Sequence, residues 1–175
     1  GSWLLEPQRS NLISYSNDYS QSYWNKGNAT IVTNNYDFSP DGKQNASRIQ
    51  MPDSSGTFLD VYFLNLQGSN LTISFYAKNN GGAASVVTYN PTNASETINI
   101  TDEWVRYVVT GVGSSNVRLG IDNINGGGDV DFLLYGFQLE VGSYPTSYIP
   151  TQGASSTRLQ DIATNSGNAS LINST

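Results

Sequence analysis

Short runs of alternating apolar and polar residues follow one another along most of this chain, separated by turns rich in Asn, Gly, Ser and Pro. Residues 71–78 set the pattern: Leu71, Ile73, Phe75 and Ala77 share one parity, and Thr72, Ser74, Tyr76 and Lys78 share the other. A period of two sends successive side chains to opposite faces of a pleated strand, so the segment predicts a strand with one face in a core. Comparable signals occur at residues 28–34, 45–51, 57–66, 85–90, 96–101, 103–110, 116–121 and 129–141. Ser39-Pro40-Asp41-Gly42 has proline early and glycine late, as tight turns prefer. Asn79-Asn80-Gly81-Gly82 reads as another turn, and Gly126-Gly127-Gly128 precedes the last long strand. About nine to eleven strands at about 10-residue spacing, with no helical period, predict an all-β antiparallel β-sandwich of the jelly-roll type. Residues 71–78, 103–110 and 129–141 carry bulky apolar residues on one side and are expected inside the sheets rather than at their edges.

The alternation ends at Gly142. Pro145 and Pro150 then lack the N–H that a ladder needs, and the sequence beyond them is small and polar. Residues 3–150 are therefore expected to form one β-sandwich module, 151–175 a polar linker or tail, and Gly1-Ser2 a cloning remnant. A module that runs into a linker suggests neighbouring domains in a longer parent chain. The length of 175 residues suits one domain with a sizeable core.

Composition narrows the chemistry. There is no Cys and no His, which excludes a thiol nucleophile, a Cys/His zinc site and a Ser-His-Asp triad. Eight Lys and Arg against fourteen Asp and Glu give a net charge of −6, so no nucleic-acid partner is expected, because phosphate binding needs clustered cations. No segment approaches the roughly 20 apolar residues of a membrane span, and no membrane partner is expected. Tyrosines number eleven, against six Phe and three Trp, in a chain only 13% charged. Such a surface suits a neutral polar ligand.

The series NLISYSNDYSQSYWNKGNATI, SPDGKQNASRI, LTISFYAKN, EWVRYVVT and LLYGFQLEVGSYPTSYIPT, with Thr157-Arg158 beyond it, resembles a recurrent jelly-roll module. That module occurs in phage tail and head-fibre proteins and beside the catalytic domains of polysaccharide-degrading enzymes. Its layout is similar to carbohydrate-binding modules of the family 4, 9, 16 and 22 type, within the galactose-binding-like fold. The resemblance spans residues 11 to about 160 and is most specific at its C-terminal signature. It implies binding of a polysaccharide or cell-surface glycan, and an extracellular or virion setting.

A sugar ring offers an apolar C–H face to a flat aromatic side chain, while amides, hydroxyls and charges fix its hydroxyl groups. Tyr76 and Lys78, on the outward parity of their strand, are expected to join Tyr89, Arg118, Asp122 and Tyr135 in one binding groove, with Trp24 as a further platform. Lys78 and Arg118 hint at acidic sugars. The plainer reading of each tyrosine is a sandwich-edge cover with its hydroxyl in water. Trp104 is expected in the core. Asp129 and Asp131, beside the glycines, read as a strand-entry charge pair or calcium ligands, not as an acid and a nucleophile. The resemblance also implies one structural Ca2+, with Asp41, Asn45 and Glu140 as ligand candidates alongside Asn11 and Gln138. The acids that many such modules pair in the last strand are replaced here by Gly136 and Phe137. Two competing functions are a structural or adhesin domain of a phage tail or capsid fibre, and a polysaccharide lyase or glycoside hydrolase.

Overall fold

The strict alternation of residues 71–78 is realised in a thirteen-residue strand that runs through the middle of one of two facing sheets. A computed structural model describes residues 5–54, 56–123 and 128–162. Gly126, Gly127 and the tail beyond 162 lie outside the described residues, as do Gly1 and Ser2. In chain order the strands are β1 (Arg9–Asn11), β2 (Asn25–Lys26), β3 (Ile31–Phe38), β4 (Gln44–Met51), β5 (Phe58–Leu64), β6 (Asn70–Gly82), β7 (Ser85–Tyr89), β8 (Ser95–Asn99), β9 (Val105–Val112), β10 (Asn116–Asp122), β11 (Val130–Val141) and β12 (Ser156–Arg158). The first sheet has the order β3-β4-β11-β6-β9, the second β2-β5-β10-β7-β8, and β1 pairs with β12. All strand pairings are antiparallel. From β4 to β11 the chain changes sheet at every step except β7 to β8, which is a jelly-roll path. There is no helix among the described residues.

The core lies between the sheets. Leu71, Ile73, Phe75 and Ala77 of β6 are fully buried on its inner parity. They meet Leu59 and Val61 of β5 and Val117, Leu119 and Ile121 of β10 from the second sheet. An aromatic column runs through this layer. Trp24 stands edge-on to Phe137 at 5.4 Å, Phe137 stacks on Phe75 at 4.8 Å, and Phe75 stacks on Tyr107 at 5.7 Å. Each such ring removes a large apolar area from water, on the order of 1.5–3 kcal/mol per side chain.

One irregularity shapes everything downstream. The register of β11 against β6 shifts between Tyr135 and Gln138. Gly136 sits at φ 66°, a left-handed conformation that glycine adopts without cost. The extra residue flips the parity of the strand. Phe132 and Leu134 face the core before it, Phe137 and Leu139 after it, and Gln138 and Glu140 are sent to the outer side.

Three expectations change. Residues 103–110 were expected inside a sheet, but β9 is the edge strand of the first sheet, paired only with β6. Trp104, just before it, is half-buried rather than a core residue. Residues 151–161 are also not a linker: Gln152 bridges Tyr15, β12 pairs with β1, and Asp161 N–H donates to the Glu6 carbonyl at 2.9 Å. An Arg158–Glu6 ion pair closes the same end. Three-residue strands carry no readable period, which is why the segment looks like a linker in sequence.

Several surface carboxyls are tuned by their partners. Burial pushes Asp131 upward, but hydrogen bonds from Arg48, Asn80 and Gln50 outweigh it and hold it below its ordinary range. Asp18 is lowered in the same way, by Ser20, Gln21 and Asn34 acting against burial. For Asp41, donors on Ser39, Lys43, Asn45 and Tyr135 overcome burial and bring the carboxyl to about 2. A depressed carboxyl binds fewer protons in the native than in the unfolded state. Its stabilisation is present above the ordinary range near 4 and is lost as pH falls toward 2. With no His to titrate, the urea midpoint is expected to fall steadily below about pH 4, where these lowered carboxyls take up protons. A midpoint that goes on rising below about pH 4 would contradict these assignments.

Candidate functional site

On the outer face of the second sheet, β5 and β10 run side by side in a register that pairs Arg118 with Tyr62, Gly120 with Asp60 and Asp122 with Phe58. Because Leu59, Val61 and Phe63 take the inner parity, Phe58, Asp60, Tyr62 and Leu64 point outward. The Arg118 guanidinium is the centre of this face. Nε donates to Asp60 Oδ2 at 2.7 Å and Nη2 to Asp122 Oδ1 at 2.9 Å. The Tyr89 hydroxyl donates to Asp122 Oδ2 at 3.0 Å, and the Asn25 amide to Asp60 Oδ1 at 3.1 Å. The guanidinium carbon lies 4.4 Å from the Tyr89 ring centre and 5.4 Å from that of Phe58. Gly120 permits this packing, since a Cβ there would come within 2.6 Å of Asp60 Cβ.

The electrostatics follow from that enclosure. Asp60 is 1% and Asp122 4% exposed. Burial pushes Asp122 above its ordinary range, with Arg118 and Tyr89 pulling against it. Burial likewise raises the Tyr89 hydroxyl, helped by the Asp122 charge, so it stays a neutral donor. Tyr62 is the open element, 49% exposed beside Arg118, with Leu64 beyond it at 66%. Ser95 and Thr97 of the edge strand β8 are exposed as well. The face combines a fixed polar cluster with an open aromatic ring.

The other predicted residues do not join it. Tyr76, Lys78 and Tyr135 belong to the outer side of the first sheet, across the sandwich from Tyr89, Arg118 and Asp122, so the single groove expected from sequence divides in two. Tyr76 does point outward, but it is half-buried, with Arg106 over its ring at 5.4 Å and Tyr135 at 6.0 Å. Lys78 lies opposite Leu133 on the same face. Much of that face is roofed by the chain itself. Thr146 N donates to Glu140 Oε2 at 3.0 Å, Ile149 N donates to Gln138 Oε1 at 2.7 Å, and Arg106 Nη2 reaches the Thr146 carbonyl at 2.7 Å. This is what the signature after Gly142 does: it folds back as a strap. Trp24, expected as a platform, is 1% exposed and packs among Tyr19, Tyr23 and Phe137. It precedes the first clear alternation, so no period in the sequence marks it as buried.

The calcium candidates separate too. Asp41 and Asn45 are neighbours, Asn45 Nδ2 donating to Asp41 Oδ2 at 3.1 Å, with the Tyr135 hydroxyl on the same oxygen at 3.0 Å. Glu140 is fully buried elsewhere, with both carboxylate oxygens bonded to Thr146. Asn11 is spent on the backbone of Phe137, Leu139 and Ile149. The three candidates do not fit one ion, and no group of three or more acids gathers among the described residues. Asp131 is held by Arg48, and Asp129 accepts from the Asp53 N–H.

Tyr62, Phe58, Asp60 and Asn25 escaped the sequence reading. The available signal was a charged Asp60 inside an otherwise apolar run, with Tyr62 on its parity.

No family model matches the chain, and no curated protein sequence matches it. Solved structures do. The CBM22-1 xylan-binding domain of Paenibacillus barcinonensis Xyn10C is 14% identical with a TM-score of 0.50, over 77% of this chain and 94% of that one. A point mutant of the family 29 carbohydrate-binding module CBM29-2 is 17% identical with a TM-score of 0.49, over 80% and 98%. The enzymatically active domain of tailspike protein 4 of bacteriophage CBA120 is 14% identical with a TM-score of 0.44, over 74% of this chain and 21% of that one. The likeness to the first bears on the fold alone, an antiparallel jelly-roll sandwich.

Proposed function

We propose that the chain is a non-catalytic glycan-binding module and that the glycan lies across the outer face of the second sheet, on Tyr62 and against Arg118, Asp122 and Asn25. One observation carries this reading: the guanidinium of Arg118 is locked between two buried carboxylates and two aromatic rings directly beside an open tyrosine. A preformed cluster of this kind loses little freedom on binding. Its Tyr62 ring offers the flat apolar surface that a pyranose needs, and its polar atoms stand at the rim. The shared fold with a xylan-binding domain is consistent with the ligand class.

Charge favours a neutral sugar over a uronate. Arg118 faces two carboxylates, so the cluster carries one net negative charge and repels an acidic ring. The same arrangement argues against a hydrolase. Asp60 is capped by Arg118 and Asn25, and Asp122 by Arg118 and Tyr89, leaving neither acid placed to deliver a proton. Pairing of β1 with β12 brings Arg9 beside Arg158, a layout that lets the module sit between neighbouring domains of a secreted or virion chain.

Replacing Tyr62 with Ala is expected to cost about 1–3 kcal/mol of affinity, the scale of a lost aromatic anchor, and to leave the melting temperature unchanged. Affinity electrophoresis in xylan, β-glucan and mannan gels reads the first quantity and calorimetry the second. Binding that survives the change, or a wild-type chain that none of the three polysaccharides retards, would sink the proposal.

A further inference from the structure

Beside the strap, on the opposite side of the sandwich from Tyr62, is a cavity of about 620 Å3, within the roughly 300–1,000 Å3 range of small-ligand sites. Three stretches far apart in sequence form it: residues 17–18, residues 34–45, and 148–152 of the strap, with Tyr135 at their junction. Its walls are held in place before any ligand arrives. Asn17 Nδ2 donates to the Asn45 carbonyl at 2.7 Å, and the Gly136 N–H donates to Asn17 Oδ1 at 3.3 Å. Ser16 ties the strap down, through the Tyr148 hydroxyl at 2.6 Å and the Thr151 N–H at 2.9 Å. The Tyr135 hydroxyl bonds Asp41, and its ring meets the Tyr148 ring edge-on at 5.2 Å. The bulge completes the floor: the Tyr148 ring lies over Gly136, 3.4 Å from where a Cβ would stand.

The lining is mostly polar and uncharged. Asn35, Asn45 and Gln152 supply amides, each both donor and acceptor in kind, beside the two tyrosine rings, while Asn34 is held by Asp18, Ser20 and Ser47. Asp18 and Asp41 outweigh Lys43, so the cavity repels anions. Amides around aromatic rings, with a slight negative charge, match a polyhydroxylated, uncharged ring better than a phosphate, a uronate or an apolar group.

We propose that this cavity is a second saccharide site, separate from the Tyr62 face, that takes a neutral sugar unit at the end or on a branch of a glycan. It shares with the proposed function only the class of ligand. Enclosure by three chain segments suits a terminal unit, whereas the open sheet suits the middle of a chain. Two sites on opposite sheets give the module two grips on one glycan surface, and linked grips raise the apparent affinity without any new contact.

The test uses the full chain, labelled with 15N. Glucose, galactose, mannose and xylose are added in turn, with glucuronate as an anionic probe and calcium chloride as a metal probe. At least one neutral sugar is expected to move the Asn34, Asn35 and Asn45 signals saturably, equally in the wild type and in Tyr62→Ala, and more than glucuronate does. Gln152→Trp, which fills the cavity from its exposed rim, is expected to weaken that response at least tenfold. Asn35→Gly is expected to weaken it about threefold while keeping the fold, because Asn35 sits at φ 53°, where glycine is at ease. The inference is overturned if no neutral sugar moves these signals, if calcium alone does, if glucuronate is preferred, or if the response disappears in Tyr62→Ala. Polysaccharide binding that survives Tyr62→Ala, or is absent in the wild type, with the cavity response intact would remove the proposed function and leave this site standing. The reverse result would do the opposite.

Discussion

Replacing Trp24 with Ala is expected to remove about 3–5 kcal/mol of folding free energy, a large share of the roughly 5–15 kcal/mol that holds a domain of this kind together. The ring is 1% exposed and begins the aromatic column through Phe137 and Phe75. Deleting it leaves a cavity walled by Tyr19, Tyr23 and Phe137, whose rings stand 5.2, 5.8 and 5.4 Å away. It also strips the Tyr15 carbonyl of the indole N–H that donates to it at 2.8 Å. Trp24→Phe, which fills most of the space but cannot donate, is expected to cost less than half as much. Urea denaturation followed by far-UV circular dichroism measures both, since Trp24 is one of only three tryptophans and fluorescence would change with the substitution. A Trp24→Ala chain that melts like the wild type but no longer binds glycan would make this residue a platform after all.

The burial of Trp24 shows where the sequence stops being readable. Alternation separates inside from outside, and it did so correctly on β6, where Leu71, Ile73 and Phe75 are buried and Tyr76 points out. It does not say which sheet a strand joins. In a jelly roll the chain changes sheet at nearly every step, so Tyr76 on β6 and Arg118 on β10, equally outward in pattern, end on opposite faces of the sandwich. Edge and interior strands also share propensities, which is why β9 was expected inside a sheet. The bulge was legible in principle. Phe132 and Leu134 are even, Phe137 and Leu139 are odd, and a glycine stands between them. A parity switch across a glycine is what an inserted residue leaves behind. Trp24 and β12 offered no such signal, because both lie in segments positioned by tertiary contacts rather than by a period.

Arg118 carries the second large expected effect, and here stability and binding move together. Arg118→Met keeps the stem of the side chain but leaves Asp60 and Asp122, 1% and 4% exposed, without the cation that neutralises them. Breaking a buried ion pair from one side costs about 3–5 kcal/mol, far more than an exposed pair would. The pH dependence separates this cause from simple loss of packing. In the wild type, burial raises Asp122 while Arg118 opposes it. Without Arg118 only the Tyr89 hydroxyl still opposes the upward push, so Asp122 rises further and the folded variant binds a proton that the unfolded chain gives up. A raised carboxyl makes the native state more stable as pH falls toward the ordinary range near 4. Arg118→Met is therefore expected to gain more stability than the wild type between about pH 7 and 4.5. Adding Asp60→Asn and Asp122→Asn to Arg118→Met removes the stranded charges and is expected to restore at least half of the lost free energy at pH 7. Glycan affinity is not restored, because the guanidinium donors beside Tyr62 are gone. Urea midpoints at the two pH values, with affinity electrophoresis on the triple variant, decide the matter. A loss independent of pH, or a triple variant no more stable than the single one, would mean that Arg118 stabilises the face by stacking on Tyr89 and Phe58 and not by neutralising the two acids.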